Sequence, residues 1–129
     1  MSIWKSKTSE ITKPWGTITQ IITPFGMNGK IIHFEAGQRN SLKYYKHLSQ
    51  CLYCLSGKAI IGAPNEFEFG DIINKDTGAV FELNPGDLIL IQAGDPYRIS
   101  AVEDSILVEV LLGSHSGEFI MLDDDYGRI

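Results

Sequence analysis

The chain has 129 residues, 43% of them hydrophobic, and a formal net charge of −5, which allows one sizeable core and not two. The acidic balance excludes an extended nucleic-acid surface, which needs a basic stripe, and no apolar run approaches the ~20 residues needed to cross a bilayer. Met1-Ser2-Ile3-Trp4-Lys5 lacks the apolar core of a secretion signal, so a cytoplasmic protein with no nucleic-acid or membrane partner is expected.

A single domain over residues 1–129 is expected, with residues 1–16 as an N-terminal arm. The first β-rich run is Thr17 to Ile22, followed by turn signals at Pro24, Gly26 and Asn28-Gly29. Lys30 to Glu35 forms the next, ending at Ala36-Gly37. Cys51 to Leu55 stops at Ser56-Gly57, across which Lys58-Ala59-Ile60-Ile61 pairs back. Phe67-Glu68-Phe69 and Ala79 to Leu83 bracket a loop around Asp76-Thr77-Gly78. Asn84-Pro85-Gly86-Asp87 is a tight turn before Leu88 to Ile91, and Ile106 to Leu112 is the last long apolar strand. Many short strands punctuated by turns, with little helical periodicity, predict an all-β sandwich or barrel.

Leu88-Ile89-Leu90-Ile91 and Ile106-Leu107-Val108 are apolar at every position, whereas a half-solvated antiparallel strand alternates. The outer face of one sheet is therefore expected to be covered, most simply by a second copy, which makes a homodimer. Cys51 and Cys54 imitate a redox or zinc spacing. Three residues apart on a strand they face opposite sides, so they read as two reduced core cysteines.

The segment Gly37-Gln38-Arg39-Asn40-Ser41-Leu42-Lys43-Tyr44-Tyr45-Lys46-His47-Leu48-Ser49-Gln50, closed by Ser56-Gly57, resembles the first motif of a cupin barrel. Gly86, Gln92-Ala93-Gly94, Asp95-Pro96 and Tyr97 resemble the second. The chain looks most similar to the C-terminal isomerase domain of type II mannose-6-phosphate isomerases. Lys13-Pro14-Trp15-Gly16, Pro85-Gly86-Asp87, Val108-Glu109-Val110 and Asp124-Asp125-Tyr126-Gly127-Arg128 carry that likeness. It implies a double-stranded β-helix of jelly-roll type, a single cupin domain, and a sugar or sugar-phosphate ligand. Members of that family carry histidines across the positions of Tyr45 to His47, a Glu-His pair at Gln50-Cys51 and a histidine at Tyr97. Here only His47 remains, and one imidazole with phenols and an amide is a poor cage for a divalent ion. No metal and no other cofactor is expected.

The candidate catalytic residues are His47, an imidazole of ordinary pKa ~6.5 suited to proton transfer, and Tyr97. The two-residue strand period puts Tyr45 on the same inward face as His47. Tyr45 and Gln50 are candidates for orienting substrate oxygens, and Arg39 and Lys43 for a phosphate at the barrel mouth. His33 shares a strand face with Ile31 and Glu35 and is a further candidate for the cavity. Trp15 reads as packing, His115 as a solvated turn residue, and Asp124 to Arg128 as a terminal tie. Two functions compete: a metal-independent sugar isomerase or epimerase in polysaccharide or nucleotide-sugar metabolism, and a non-catalytic barrel that binds a carbohydrate or small metabolite.

Overall fold

A computed structural model describes residues 3–24, 26–68, 71–113 and 118–129, with backbone alone at 65–68 and 71–77. His115 lies outside the described residues. Eleven strands are present among them: β1 (Ser9–Lys13), β2 (Gly16–Ile21), β3 (Asn28–Phe34), β4 (Leu42–Tyr45), β5 (Ser49–Ser56), β6 (Ala59–Glu68), β7 (Asp71–Leu83), β8 (Leu88–Ile91), β9 (Arg98–Ala101), β10 (Ser105–Leu112) and β11 (Phe119–Asp123).

One wall is a six-stranded sheet in the order β1-β2-β3-β10-β5-β8. The other combines β7-β6-β9 with β11-β4, joined where Lys43 and Tyr97 exchange backbone hydrogen bonds of 3.2 and 2.9 Å. Every strand pair is antiparallel. The two walls enclose a core in which Leu52, Cys54, Ala59, Ile61, Ile99 and Leu107 are essentially solvent-free. Trp15 is buried and stacks on Phe34 with ring centres 4.3 Å apart, so it packs, as its neighbourhood predicted.

Strand periodicity decides which side chains enter the barrel. Along β5, Gln50, Leu52 and Cys54 are buried while Tyr53 and Leu55 are exposed. Along β10, Ser105, Leu107 and Glu109 are buried, and Val110 and Leu112 are exposed. Both cysteines are free, Cys54 inside and Cys51 half-buried on the other face.

Four sequence expectations are revised. Residues 9–13 of the supposed arm form an edge strand on β2. Asn28 and Gly29 begin β3 instead of turning. No loop separates residues 74–78 from the following strand, because β7 runs unbroken from Asp71 to Leu83 against β6. Finally, β4, β9 and β11 were not delimited in the sequence, being only four or five residues long.

The strands that read as apolar throughout divide cleanly. Leu107 and Ile91 face the core. Tyr53, Leu55, Leu88, Leu90, Val110 and Leu112 face outward and are exposed in the single chain. The register Leu90–Cys51–Val110 places them side by side across β8, β5 and β10.

Candidate functional site

Two side-chain groups meet inside the barrel. From the six-stranded wall come Lys30 (β3), Gln50 (β5) and Glu109 (β10), and from the other Lys43 and Tyr45 (β4) and Tyr97, just before β9. Glu109 and Lys30 are direct partners across β10 and β3. The Lys30 ammonium donates to the Tyr45 hydroxyl at 3.0 Å and lies 3.7 Å from Glu109 Oε1. The Tyr97 hydroxyl donates to Gln50 Oε1 at 3.1 Å. Glu109 is almost fully buried, and its Oε1 accepts no hydrogen bond among the described residues.

Burial pushes the Tyr45 and Tyr97 phenols up, Tyr97 well above its ordinary range, with Glu109 adding to both. Both therefore stay neutral hydroxyls. Burial alone would pull the Lys30 amine down, but Glu109 and Tyr45 outweigh it and the net shift is upward. The ammonium is thus a permanent cation inside the fold.

Above this layer opens a cavity of about 360 Å³, bounded by Lys13, Lys30, Lys43 and Arg128. Gln20, Asn28, Asn40 and Ser41 supply neutral hydrogen-bonding groups, and Trp15, Leu111, Phe119 and Met121 supply apolar wall. These four cations repel one another. The Lys43 amine is lowered to about 8, by burial first and then by Lys30, Lys13 and Arg128 against an opposing pull from Glu109. Lys13 is lowered by burial, Arg128 and Lys30. Among the described residues only Arg128 and Lys30 have carboxylate partners here: Arg128 grips Asp124 through bonds of 2.7 and 3.0 Å, which hold that carboxyl down at about 2. A mouth with more cations than anions, on a chain of net −5, favours an anion.

Placed against the sequence expectations, Tyr45, Tyr97 and Gln50 do converge, but as packed interior, not as cavity wall: Tyr45 and Tyr97 are among the largest fully buried side chains. Lys43 reaches the mouth as expected. Arg39 does not join it. Its guanidinium is clamped on Asp125, with Nη2 to Oδ1 at 2.7 Å, beside a separate outer hollow of about 310 Å³ shared with Arg98 and Asp123. His47 is not inward. Strand β4 ends at Tyr45, a bend follows at Lys46-His47, and both residues are exposed. The two-residue period that linked His47 to Tyr45 is broken there, and the residue sharing Tyr45's face is Lys43. His33 is also exposed, between buried Ile32 and Phe34, in a shallow hollow with Thr17 and Glu35.

The sequence reading missed Lys13, Lys30, Glu109 and Arg128 as one constellation. One signal was available: Glu109 is the lone charge in an apolar run and falls in phase with Leu107. The terminal tie holds, with Asp124 on Arg128 and the Tyr126 hydroxyl on the Gln38 side chain and the Arg39 carbonyl, both at 2.9 Å.

The donor set does not fit a divalent metal. Among the described residues no three His, Cys, Asp or Glu side chains converge, the phenols resist deprotonation, and the Lys30 ammonium already sits against the Glu109 carboxylate.

No family model and no curated protein matches the chain. Solved structures do. The capsular polysaccharide assembling protein CapF from Staphylococcus aureus is similar at 13% identity and a TM-score of 0.72, over 93% of this chain and 33% of that one. An uncharacterized conserved protein with a double-stranded β-helix domain from Klebsiella pneumoniae is similar at 16% identity and a TM-score of 0.68, over 88% and 84%. Oxalate decarboxylase from Bacillus subtilis is similar at 17% identity and a TM-score of 0.73, over 89% and 30%. The chain thus spans about a third of the CapF chain.

Proposed function

We propose that this barrel, an all-β cupin double-stranded β-helix of jelly-roll type, binds a small phosphorylated carbohydrate or a similar anion at its cationic mouth, and does so without a metal. The carrying observation is the convergence of Lys13, Lys30, Lys43 and Arg128 on one cavity in an acidic chain. Cations would meet the phosphate, while Asn28, Asn40, Ser41 and Gln20 offer partners to hydroxyl groups. The resemblance to mannose-6-phosphate isomerases and CapF's naming as a capsular polysaccharide assembling protein both support a sugar. The exposed position of His47 and the filling of the interior by Tyr45, Tyr97 and Leu52 favour the non-catalytic, ligand-binding reading over the isomerase. Among the described residues no helix is long and apolar enough to cross a membrane.

Calorimetric titration with mannose 6-phosphate, inorganic phosphate and mannose tests the reading. The two phosphates are expected to bind and mannose to bind at least ~10-fold more weakly; equal affinity for mannose and its phosphate would overturn it. The Lys43 amine is about 8 in the free protein, and a bound anion favours its charged form. Binding therefore takes up a proton near pH 8, and affinity falls as pH rises through that value. Titrations in buffers of different ionisation enthalpy detect the uptake.

The outward face of β5, β8 and β10 supports a second proposal, that a further copy of this chain covers it. Cys51, Tyr53, Leu55, Leu88, Leu90, Ile106, Val108, Val110 and Leu112 make a face without one charge, and contiguous apolar patches beyond a few hundred Å² are rare on monomers. A face free of charge is where two copies of net charge −5 can meet with least repulsion. Light scattering on the L90D/L112D variant is expected to give half the wild-type mass, and a wild type already monomeric at high concentration would refute the dimer.

A further inference from the structure

In the proposed anion site Lys43 combines positive charge with the chemistry of a primary amine. Lys43 Nζ lies 4.6 Å from the centre of the Phe119 ring and 5.6 Å from that of Tyr45. No carboxylate lies within ion-pair distance of it among the described residues. Two of the other three cations of the mouth are arranged differently. Lys30 is held charged by Glu109 and Tyr45, and Arg128 by Asp124. Lys43 is thus a primary amine with an unshared approach from the cavity, walled by ring faces and ringed by positive charge.

We propose, resting on the anion-binding reading, that Lys43 is a carbonyl-reactive amine that forms an imine with the aldehyde or ketone group of an anionic ligand seated in the barrel mouth. The neutral amine attacks the carbonyl carbon, a C–N bond forms, and the π pair moves to oxygen, which takes up a proton while the nitrogen gives one up, leaving a neutral carbinolamine. The nitrogen lone pair then expels that oxygen, with a second proton, as water, and loss of the N–H proton leaves the imine. Amine and carbonyl give imine and water, with no oxidant or reductant. The neighbouring ammonium of Lys30, also 5.6 Å from the Tyr45 ring centre, offers positive charge toward the oxygen as negative charge develops on it. The anionic group of the ligand is held by Lys13 and Arg128. An amine of pKa about 8 is roughly one-quarter neutral at pH 7.5, against about one part in a thousand for an ordinary lysine.

Pyridoxal 5′-phosphate, an aldehyde bearing a phosphate, is the probe. The protein is incubated with it at pH 8, reduced with borohydride, and examined by intact mass and peptide mapping. One reduced adduct on Lys43 is expected, formed at least ~10-fold faster than with pyridoxal, because the held phosphate positions the carbonyl. Inorganic phosphate should suppress it. The K43R variant keeps the charge but has no primary amine and should lose the adduct; circular dichroism checks that it is folded. Labelling spread over surface lysines, or unchanged in K43R, overturns the proposal. If calorimetry on the same sample shows phosphate bound while Lys43 stays unlabelled, the imine fails and the anion site stands. If neither occurs, both fall.

Discussion

Gly57→Ala is expected to cost the fold more than about 4 kcal/mol. Gly57 follows β5 and turns the chain toward β6 with φ of +84°, in the left-handed region that side chains disfavour. A Cβ there would stand 2.2 Å from the Asp104 carbonyl oxygen, 2.5 Å from Ser105 Oγ and 2.7 Å from Ser105 Cα. Backbone atoms cannot swing aside as a side-chain tip can. Ser105 is itself held, its hydroxyl accepting from Lys58 N and lying 2.8 Å from the Glu103 carbonyl. Two companion variants separate the causes. Gly37 has φ of +79° but open space around a new Cβ, so Gly37→Ala should cost about 1–2 kcal/mol for conformation alone. Gly62 lies within β6 with neither constraint, so Gly62→Ala should change stability by less than about 1 kcal/mol. Urea unfolding of all three measures the order, and a Gly57→Ala cost no larger than that of Gly37→Ala would show that the turn relaxes.

That turn shows what was legible in the sequence. Ser56-Gly57 punctuated the chain correctly because glycine is the residue such a backbone demands. The same holds for Ala36-Gly37 and Asn84-Pro85-Gly86-Asp87, where the Gly86 amide donates to the Cys54 carbonyl at 2.9 Å. Inward and outward faces were legible wherever a strand was continuous: Gln50 and Cys54 point inward along β5, and Cys51 lies on the opposite face, half-buried and outside the core in which the sequence reading put it. His47 was misplaced because period two holds only within a strand, and nothing in Tyr45-Lys46-His47 announces that β4 stops. Arg39 was misread for a different reason: its partner Asp125 is 86 residues away, and charge pairing over that distance is decided by folding, not by local pattern. The cationic mouth was hidden likewise. Lys13, Lys30, Lys43 and Arg128 come from four separate segments, and the arrangement exists only after β1, β3, β4 and the C-terminal tie assemble.

Lys30→Met is expected to destabilise the protein by about 3 kcal/mol, and Glu109→Leu by only about 1 kcal/mol. The asymmetry follows from exposure: the Glu109 side chain is 2% exposed and the Lys30 side chain 19%. Deprived of Lys30, the carboxylate stays in the interior with no compensating charge and with Oε1 already lacking a hydrogen bond. Deprived of Glu109, the lysine retains the Tyr45 hydroxyl and can extend toward the open mouth. The double variant, Lys30→Met with Glu109→Leu, removes both charges at once and should lie within about 1 kcal/mol of wild type, giving a coupling of roughly 3–5 kcal/mol. Additive losses would mean that the two groups do not act as a pair. The pH dependence provides a second readout. Lys30 is raised above its ordinary 10.5, so the folded chain holds that proton more tightly than the unfolded chain. Its contribution is fully present below pH 10.5 and is lost as pH climbs through the folded value. Lys43 has the opposite sign: lowered to about 8, it sheds its proton first in the folded state, so its contribution grows between pH 8 and 10.5. The Lys30→Met penalty should therefore shrink above pH 10.5, whereas a Lys43→Met variant should gain most over wild type below pH 8. One lysine is held charged by its partners and its neighbour is left labile, and the proposed anion binding and imine formation both depend on that difference.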